Sequence, residues 1–291
     1  VAERTPTQTP ATVASPDPAA PPPRRRRRMK DLRKQPGFDT MAWFCLFCLY
    51  APIAVLVVFS FNDNRSVVRW TEFSLRWYRA AFENDGIRHA TWISLQVAFV
   101  AMVFATTFAT MAALATTRVR AFKGQTLTYA VINQPLMVPE IVTAVSTLAF
   151  FVLIKQVTGL NGIGFLMLAH TVFCIPFAYM PIRARLEDMN LTLEQAAADL
   201  YGTPFQVFRT VTLPLMAPGI VAGAMLAFVV SLDDVIITLL VGGPGETTLP
   251  VYIFGQIRRG ITPEINAVST VLLGLSALLV SIFFLIGNKR K

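Results

Sequence analysis

Three carboxylates, Glu140, Asp233 and Asp234, stand inside strongly apolar stretches of this sequence. On insertion scales an acid at the centre of a membrane helix costs about 2.5–3.5 kcal/mol, so such groups face protein or a water-filled cavity rather than lipid. Two chemistries fit them: a negatively lined path for a cationic solute, or a hydrogen bond to a neighbouring helix. Asp233 and Asp234 are adjacent, about 100° apart around a helix, and cannot both point at one axis. One is free to meet a passing cation while the other caps or pairs locally. Other reactive types carry less. Cys45 and Cys48 have a CxxC spacing, but they and Cys174 lie in apolar runs and read as small buried apolar residues. His89 and His170 have no Cys or acidic cluster near them in sequence, so no metal pattern is present. Gly242-Gly-Pro-Gly245 is not followed by Gly-Lys-Ser/Thr and is not a phosphate loop. With no catalytic constellation, the chain is expected to be non-enzymatic.

The elements that hold these acids are membrane spans. Apolar residues make up 54% of the chain, charged residues 15%, and mean hydropathy is +0.54, which excludes an ordinary soluble domain. A spanning helix needs about 20 mostly apolar residues. Six stretches meet that: about 41–61, 91–117, 126–154, 160–182, 219–241 and 265–288. The fold class is therefore an all-α membrane protein with six transmembrane helices. Counted from the inner ends of the third and fifth spans, Glu140 and Asp233 each lie roughly 21 Å in, at 1.5 Å per residue. Pro135, Pro139, Pro176 and Pro181 are expected to kink the third and fourth spans. Thr262-Pro263-Glu264 is expected to open the sixth, with a cap, a first-turn proline and an acid at the positive helix end.

Charge sets the orientation. With both termini inside, eighteen of the 26 Lys and Arg fall on the inner side, in keeping with the positive-inside rule. The net charge of +9 is mainly this topology signal, and nucleic acid is not an expected partner. The run Arg24–Arg28 lies beside the membrane and is suited to orienting the chain and to touching anionic lipid. The first outer loop is unusually basic, with Arg65, Arg69, Arg76, Arg79 and Arg88. Residues 1–37, rich in Pro, Ala, Thr, Ser and then Arg, cannot form a core and are expected to be a disordered cytoplasmic tail. The first span is too long for a signal-peptide core and is expected to be a retained anchor. Residues 38–291 form the transmembrane domain.

The same alternation places the polar loop 183–218 in the cytoplasm. Thr192 and Gln195 fit a capping box, and Ala196, Ala197, Ala198 and Leu200 are helix formers. Gly202 is expected to take the left-handed turn that closes this helix. Thr203 then caps a second helix with Pro204 at its first position, and Pro214 and Pro218 are expected to end it. Two short helices on one membrane face make a loop suited to being gripped from outside the bilayer.

This loop resembles the EAA loop of permease subunits of ATP-binding-cassette importers: Glu-Ala-Ala, three residues, Gly, nine residues, Ile, one residue, Leu-Pro. Gln195-Ala196-Ala197, Val211 and Leu213-Pro214 match with the spacing intact. Gln195 replaces the acid, with Glu194 one position earlier, and Tyr201 stands at the glycine position, with Gly202 one later; the turn is expected to be shifted by one residue. Ser231-Leu-Asp-Asp234, Gly243-Pro244, Leu249-Pro250 and Gly260-x-x-Pro263-Glu264-x-Asn266-Ala267 are similar to the spermidine/putrescine branch, in its second permease subunit, as is Leu136-Met-Val-Pro-Glu140. The resemblance covers about residues 40–288.

It implies the type I importer permease fold with a cytoplasmic two-helix coupling loop, in a bacterial inner membrane with both termini cytoplasmic. It implies half of a translocation pathway, paired with a second homologous permease, two cytoplasmic ATPases and a periplasmic solute-binding protein. ATP and Mg would be bound by the ATPases, with no cofactor in this chain. Coupling would fall to Glu194, Gln195, Ala196, Ala197, Ala198, Tyr201 and Gly202, and the substrate pathway to Asp233, Asp234 and Glu140. The alternatives are a permease for another solute, such as ferric ion, an opine or an aminophosphonate, and a secondary transporter.

Overall fold

The computed structural model describes residues 37–64, 69–119, 123–260 and 263–288. Twelve helices follow one another in these residues: α1 (Phe38–Phe59), α2 (Arg76–Glu83), α3 (Asp85–Thr117), α4 (Gln125–Met137), α5 (Glu140–Thr158), α6 (Gly164–Glu187), α7 (Leu191–Asp199), α8 (Pro204–Val207), α9 (Leu213–Asp233), α10 (Ile236–Val241), α11 (Leu249–Arg259) and α12 (Pro263–Asn288). A π segment, Phe208–Thr212, joins α8 to α9. No strand occurs among the described residues, only an isolated antiparallel bridge between Asn62 and Phe73. The tail before Gly37, the Thr262 cap and the terminal Lys289–Lys291 lie outside the described residues.

The chain divides into two units, Val1–Tyr50 and Ala51–Lys291. In the first, the described residues are the start of α1, whose Trp43, Phe44 and Phe47 are exposed. Cys45 and Cys48 are exposed there too, on an apolar helix, and not buried as expected.

The second unit is built around α3, α6 and α9, which pack on one another in all three pairings. Within a membrane, helices associate by close van der Waals contact, which favours small residues at the interface. α3 supplies Ala101, Ala105, Ala109 and Ala113, one per turn on one face and all fully buried. α9 supplies Gly219 and Gly223: a Cβ at Gly219 would lie 2.6 Å from Arg185 Cβ, and one at Gly223 would lie 2.6 Å from the Ala178 carbonyl oxygen. Polar ties run along the α6–α9 seam. Arg185 Nε donates to the Leu215 carbonyl at 2.9 Å, and Cys174 Sγ donates to the Ala227 carbonyl at 3.5 Å.

Five helical stretches are long and apolar enough to cross a membrane: Asp39–Phe59, Asp85–Thr117, Glu140–Thr158, Gly164–Glu187 and Pro204–Asp233; the apolar part of α12, Pro263–Leu278, is shorter. Five of the six expected spans are thus long apolar helices and the sixth falls on the shorter apolar stretch of α12, with two corrections inside them. The third is not one helix. It breaks at Val138-Pro139, where Val138 is extended (φ −98°, ψ 138°) because a residue before proline is driven out of the α region. Glu140 is therefore the first residue of α5, not a side chain midway along a straight helix. The fifth span ends at Asp233 and restarts as α10, with extended Asp234 between them. The depth estimate for Glu140 counted through the first break and loses its basis, whereas the one for Asp233 runs along α9, which is continuous from Leu213 to Asp233.

Pro214 and Pro218 do not end a helix either. Pro214 sits in the first turn of α9, directly after the π segment, and Pro218 lies within α9. The wider π turn removes the i−4 partner that the proline ring would otherwise strike. The span thus runs on from the polar loop without interruption.

The segment between α1 and α2 turns back on itself. Trp77 Nε1 donates to the Asn62 carbonyl at 2.8 Å, and Asn62 Nδ2 donates to the Arg69 carbonyl at 2.8 Å. The α2 helix buries Trp77 and Ala81 and keeps Arg76, Arg79 and Glu83 exposed.

The glycine contacts give a direct test. Gly223→Val should lower the stability of the purified protein by about 1–3 kcal/mol, as overpacking does. Gly274→Ala, in α12 with nothing within 4 Å of its Cβ position, should leave it unchanged or raise it. Thermal denaturation in detergent measures both; equal midpoints for the two variants would refute the close-packing account.

Candidate functional site

The polar loop between α6 and α9 is assembled from helix ends. α6 closes at Asp188, and Asn190 caps α7 by accepting from the Thr192 amide at 3.0 Å. The expected Thr192–Gln195 capping box does not form. The helix starts at Leu191, which puts Thr192 inside the first turn and leaves Gln195 exposed.

At the other end the Tyr201 amide donates to the Ala198 carbonyl at 3.0 Å and the Gly202 amide to the Ala197 carbonyl at 3.2 Å. With Leu200 as C-cap, this pair is the Schellman pattern, whose C′ residue must be left-handed. That residue is Tyr201, at φ 62°, and Gly202 does not have positive φ. The turn is therefore not shifted by one residue. It stays at the position where the resembled pattern has glycine, and tyrosine carries the strain. Gly202 has another duty: a Cβ there would lie 2.7 Å from the Ala197 carbonyl oxygen, so the chain can only pass close under α7 without one.

The second helix begins as expected. The Gln206 amide donates to Thr203 Oγ1 at 3.4 Å, the Thr203 amide donates to Gln206 Oε1 at 2.8 Å, and Pro204 follows the cap.

The loop presents an outward face. Gln195, Ala196 and Ala198 are exposed, while Ala197 and Gly202 are half-buried. Beside them Leu200 is 82% exposed, Tyr201 95% and Phe205 69%. Contiguous exposed apolar side chains on a polar loop mark a contact surface. From sequence Leu200 was read only as a helix former and Phe205 was not singled out, although an apolar residue at each end of a tight polar turn was the available signal. Glu194 differs from its neighbours in pointing inward. Its Oε1 lies 3.2 Å from Arg118 Nε and accepts from Thr212 Oγ1 at 3.1 Å.

The intramembrane acids meet at the two helix breaks. α10 packs on α5, which brings Glu140, at the start of α5, within hydrogen-bonding reach of Asp234, at the start of α10. Asp234 is buried and heavily engaged. Its Oδ1 accepts from the Ile237 amide at 3.3 Å, and its Oδ2 accepts from the Thr238 amide at 3.1 Å and from Thr238 Oγ1 at 3.2 Å. His170 Nε2, from α6, lies 3.4 Å from the same Oδ2.

His170 is fully buried, 2.9 Å from Thr238 Oγ1 through Nε2 and 2.8 Å from Ser231 Oγ through Nδ1. Since the Thr238 hydroxyl donates to Asp234, it accepts from Nε2–H, and Nδ1 then accepts from Ser231. Asp233 points elsewhere and is exposed, while Glu140 is half-buried. His170, Ser231 and Thr238 were missed because 61 and 68 residues separate His170 from its two hydroxyl partners. The signal was the imidazole itself: a polar ring in an otherwise charge-free span needs buried partners.

An apolar cavity of about 890 Å³ lies among α2, α3 and α12, lined by Phe82, Trp92, Leu272 and Leu275 among others. None of the three acids lines it. Among the described residues no group of three or more His, Cys, Asp or Glu is placed to hold a metal.

The bundle of spans with its outward-facing two-helix loop has the type I fold of permeases of ATP-binding-cassette importers. The chain belongs to the family described as the binding-protein-dependent transport system inner membrane component, which matches residues 105–289. It is 39% identical over 229 residues to the putrescine transport system permease protein PotI of Escherichia coli K12, covering 78% of this chain and 82% of that protein. It is 38% identical over 243 residues to the spermidine/putrescine transport system permease protein PotC of Haemophilus influenzae, covering 83% and 93%. Its fold matches a chain of a crystal structure of a bacterial ABC transporter involved in the import of the polysaccharide alginate. That match has a TM-score of 0.63, 14% identity and coverage of 87% and 92% of the two chains.

The turn predicts two opposite effects. Tyr201→Gly should stabilise the end of α7 by about 1 kcal/mol by relieving the left-handed strain. Gly202→Ala should destabilise it by about 1–3 kcal/mol through the clash with Ala197. Hydrogen exchange of the α7 amides reports both, and a shift of the same sign in the two variants would exclude this account.

Proposed function

We propose that this chain is one permease subunit of an ATP-driven importer of polyamines such as putrescine and spermidine. The observation that carries this reading is the 38–39% identity, over roughly four-fifths of the chain, to two permeases named for those solutes. The site chemistry agrees with a cationic solute. Asp233 offers an exposed carboxylate at the broken fifth span, and the half-buried Glu140 lies beside Asp234. Asp234 spends its oxygens on the α10 amides, Thr238 and His170, so its role in the pathway is to fix the break at which Asp233 is presented.

The chain supplies half of the pathway and a second, homologous permease supplies the rest. Two cytoplasmic ATPases bind and hydrolyse ATP with Mg, and a periplasmic binding protein delivers the solute. The outward face of Gln195, Ala196, Ala197, Ala198, Tyr201 and Gly202, flanked by Leu200 and Phe205, docks on an ATPase. This chain itself is non-catalytic. It lies in a bacterial inner membrane with both termini cytoplasmic, an orientation supported by the Lys and Arg distribution.

Uptake of labelled putrescine and spermidine by cells carrying the full complex tests this reading. Asp233→Asn should lower uptake roughly tenfold at normal membrane abundance, the scale of losing one charge-assisted contact. Asp234→Asn should instead lower the amount of folded protein, because it disturbs a buried cap. Wild-type polyamine uptake in the Asp233→Asn strain would show that this acid is not on the path, and absence of polyamine uptake by the unaltered complex would overturn the solute assignment.

A further inference from the structure

The outward face of α7 leaves one question of mechanics: how a push on a nine-residue helix reaches the membrane core. Covalently, α7 hangs between two turns, Asp188–Asn190 on one side and the Tyr201-Gly202 turn on the other. A helix held only at its two ends can swing. Glu194 adds a third point of attachment, on α3.

Arg118 is the C-cap of α3, and Glu194 stands in the first turn of α7. A helix C-terminus favours a cation and a helix N-terminus favours an anion, so each charge sits on the helix end that stabilises it. The pair joins those two ends at 3.2 Å with side-chain exposures of only 17% and 19%, which limits screening by salt. The same Oε1 takes the hydroxyl of Thr212, a buried residue at the end of the π segment from which α9 continues. One carboxylate oxygen thus ties α7 to α3 and to the root of α9, two of the three helices of the packed core.

We propose that Glu194, with Arg118 and Thr212, is the strut that transmits movement of α7 to α3 and α9, and that it is not a contact of the ATPase. Gln195, which takes the family's acidic position, faces outward and carries no charge; Glu194 carries the charge and faces inward. Glu194 is therefore a positioning residue for coupling, acting through α3 and α9. The inference rests on the docking reading given above and extends it from where the loop is held to how the load is passed on.

The test uses the complete complex in proteoliposomes, with ATPase co-purification, ATP hydrolysis and solute uptake measured separately. Glu194→Gln should retain the ATPase subunits and continue to hydrolyse ATP, with uptake per ATP lowered roughly tenfold, the scale of a partly buried ion pair. Arg118→Glu and Glu194→Arg should each do the same or worse. Their combination should recover uptake at least about fivefold over either single change, since coupled residues are non-additive. Where a charge reversal fails to insert, Thr212→Val is the second variant, with a smaller loss of the same sign. An unchanged ratio of uptake to hydrolysis in Glu194→Gln overturns the strut, as does a double variant no better than the singles. Loss of ATPase subunits from Glu194→Gln also overturns it, by making Glu194 a docking contact. Failure of the docking reading looks different: ATPase subunits would then be missing from the unaltered complex itself.

Discussion

Backbone groups in a bilayer cannot turn to water, and this requirement governs the structure more than any other. A helix may break in hydrocarbon only where the freed groups find partners inside the protein. The fifth span breaks at Asp234, and Asp234 repairs the break with its own side chain, accepting from the Ile237 and Thr238 amides at the start of α10. That carboxylate needs support in turn. It comes from the Thr238 hydroxyl and from His170, which Ser231 holds at its other nitrogen. Four side chains from α6, α9 and α10 thereby close one network around a single interruption. Its by-product is the divergence of two adjacent acids, Asp234 turned inward as a cap and Asp233 left exposed.

The same rule at the polar loop gives a different answer, because its exposed backbone can reach water. α7 ends in a Schellman turn that satisfies two carbonyls, and α8 begins in a reciprocal capping box. With the backbone satisfied locally, the side chains are free to point outward. The strain of a left-handed tyrosine, about 1–2 kcal/mol, is tolerated at the tip of that turn. A glycine would relieve the strain, but it would not present a ring that is 95% exposed. Leu200, Tyr201 and Phe205 give the outward surface exposed apolar area beside the exposed Asp199, while the charge at Glu194 is committed inside.

How legible all this was in sequence depends on range. The long apolar spans, the helix start at Thr203-Pro204 and the polar loop were readable because hydropathy and capping act over a few residues. Helix continuity was misread where two local rules compete. Proline alone predicted an end at Pro214, but the π segment ahead of it absorbs the ring. Proline alone predicted a kink near Pro139, but extended Val138 makes it a full break. The turn at Tyr201 was misplaced because glycine is the default left-handed residue, and here the hydrogen-bond geometry of α7 fixes the position whatever residue occupies it. The His170 network was not readable, because it forms between helices that only tertiary packing brings together.

α9 connects the two regions directly. It begins at the π segment bearing Thr212 and ends at Asp233, 21 residues or roughly 32 Å later. Along that length it is fastened to α6 by the close approaches at Gly219 and Gly223 and by the bonds of Arg185, Cys174 and His170. Ties at five levels leave these helices no room to slide past each other without breaking several at once, and packed interiors do not deform gradually. α6 and α9 therefore behave as one body, whose lower end carries the loop and whose upper end carries the break. Two helix breaks lie outside that body, extended Asp234 directly beyond α9 and extended Val138 between α4 and α5. α5 packs on α10, so Glu140 and Asp234, at those two breaks, are brought together beyond the end of α9 that lies away from the loop.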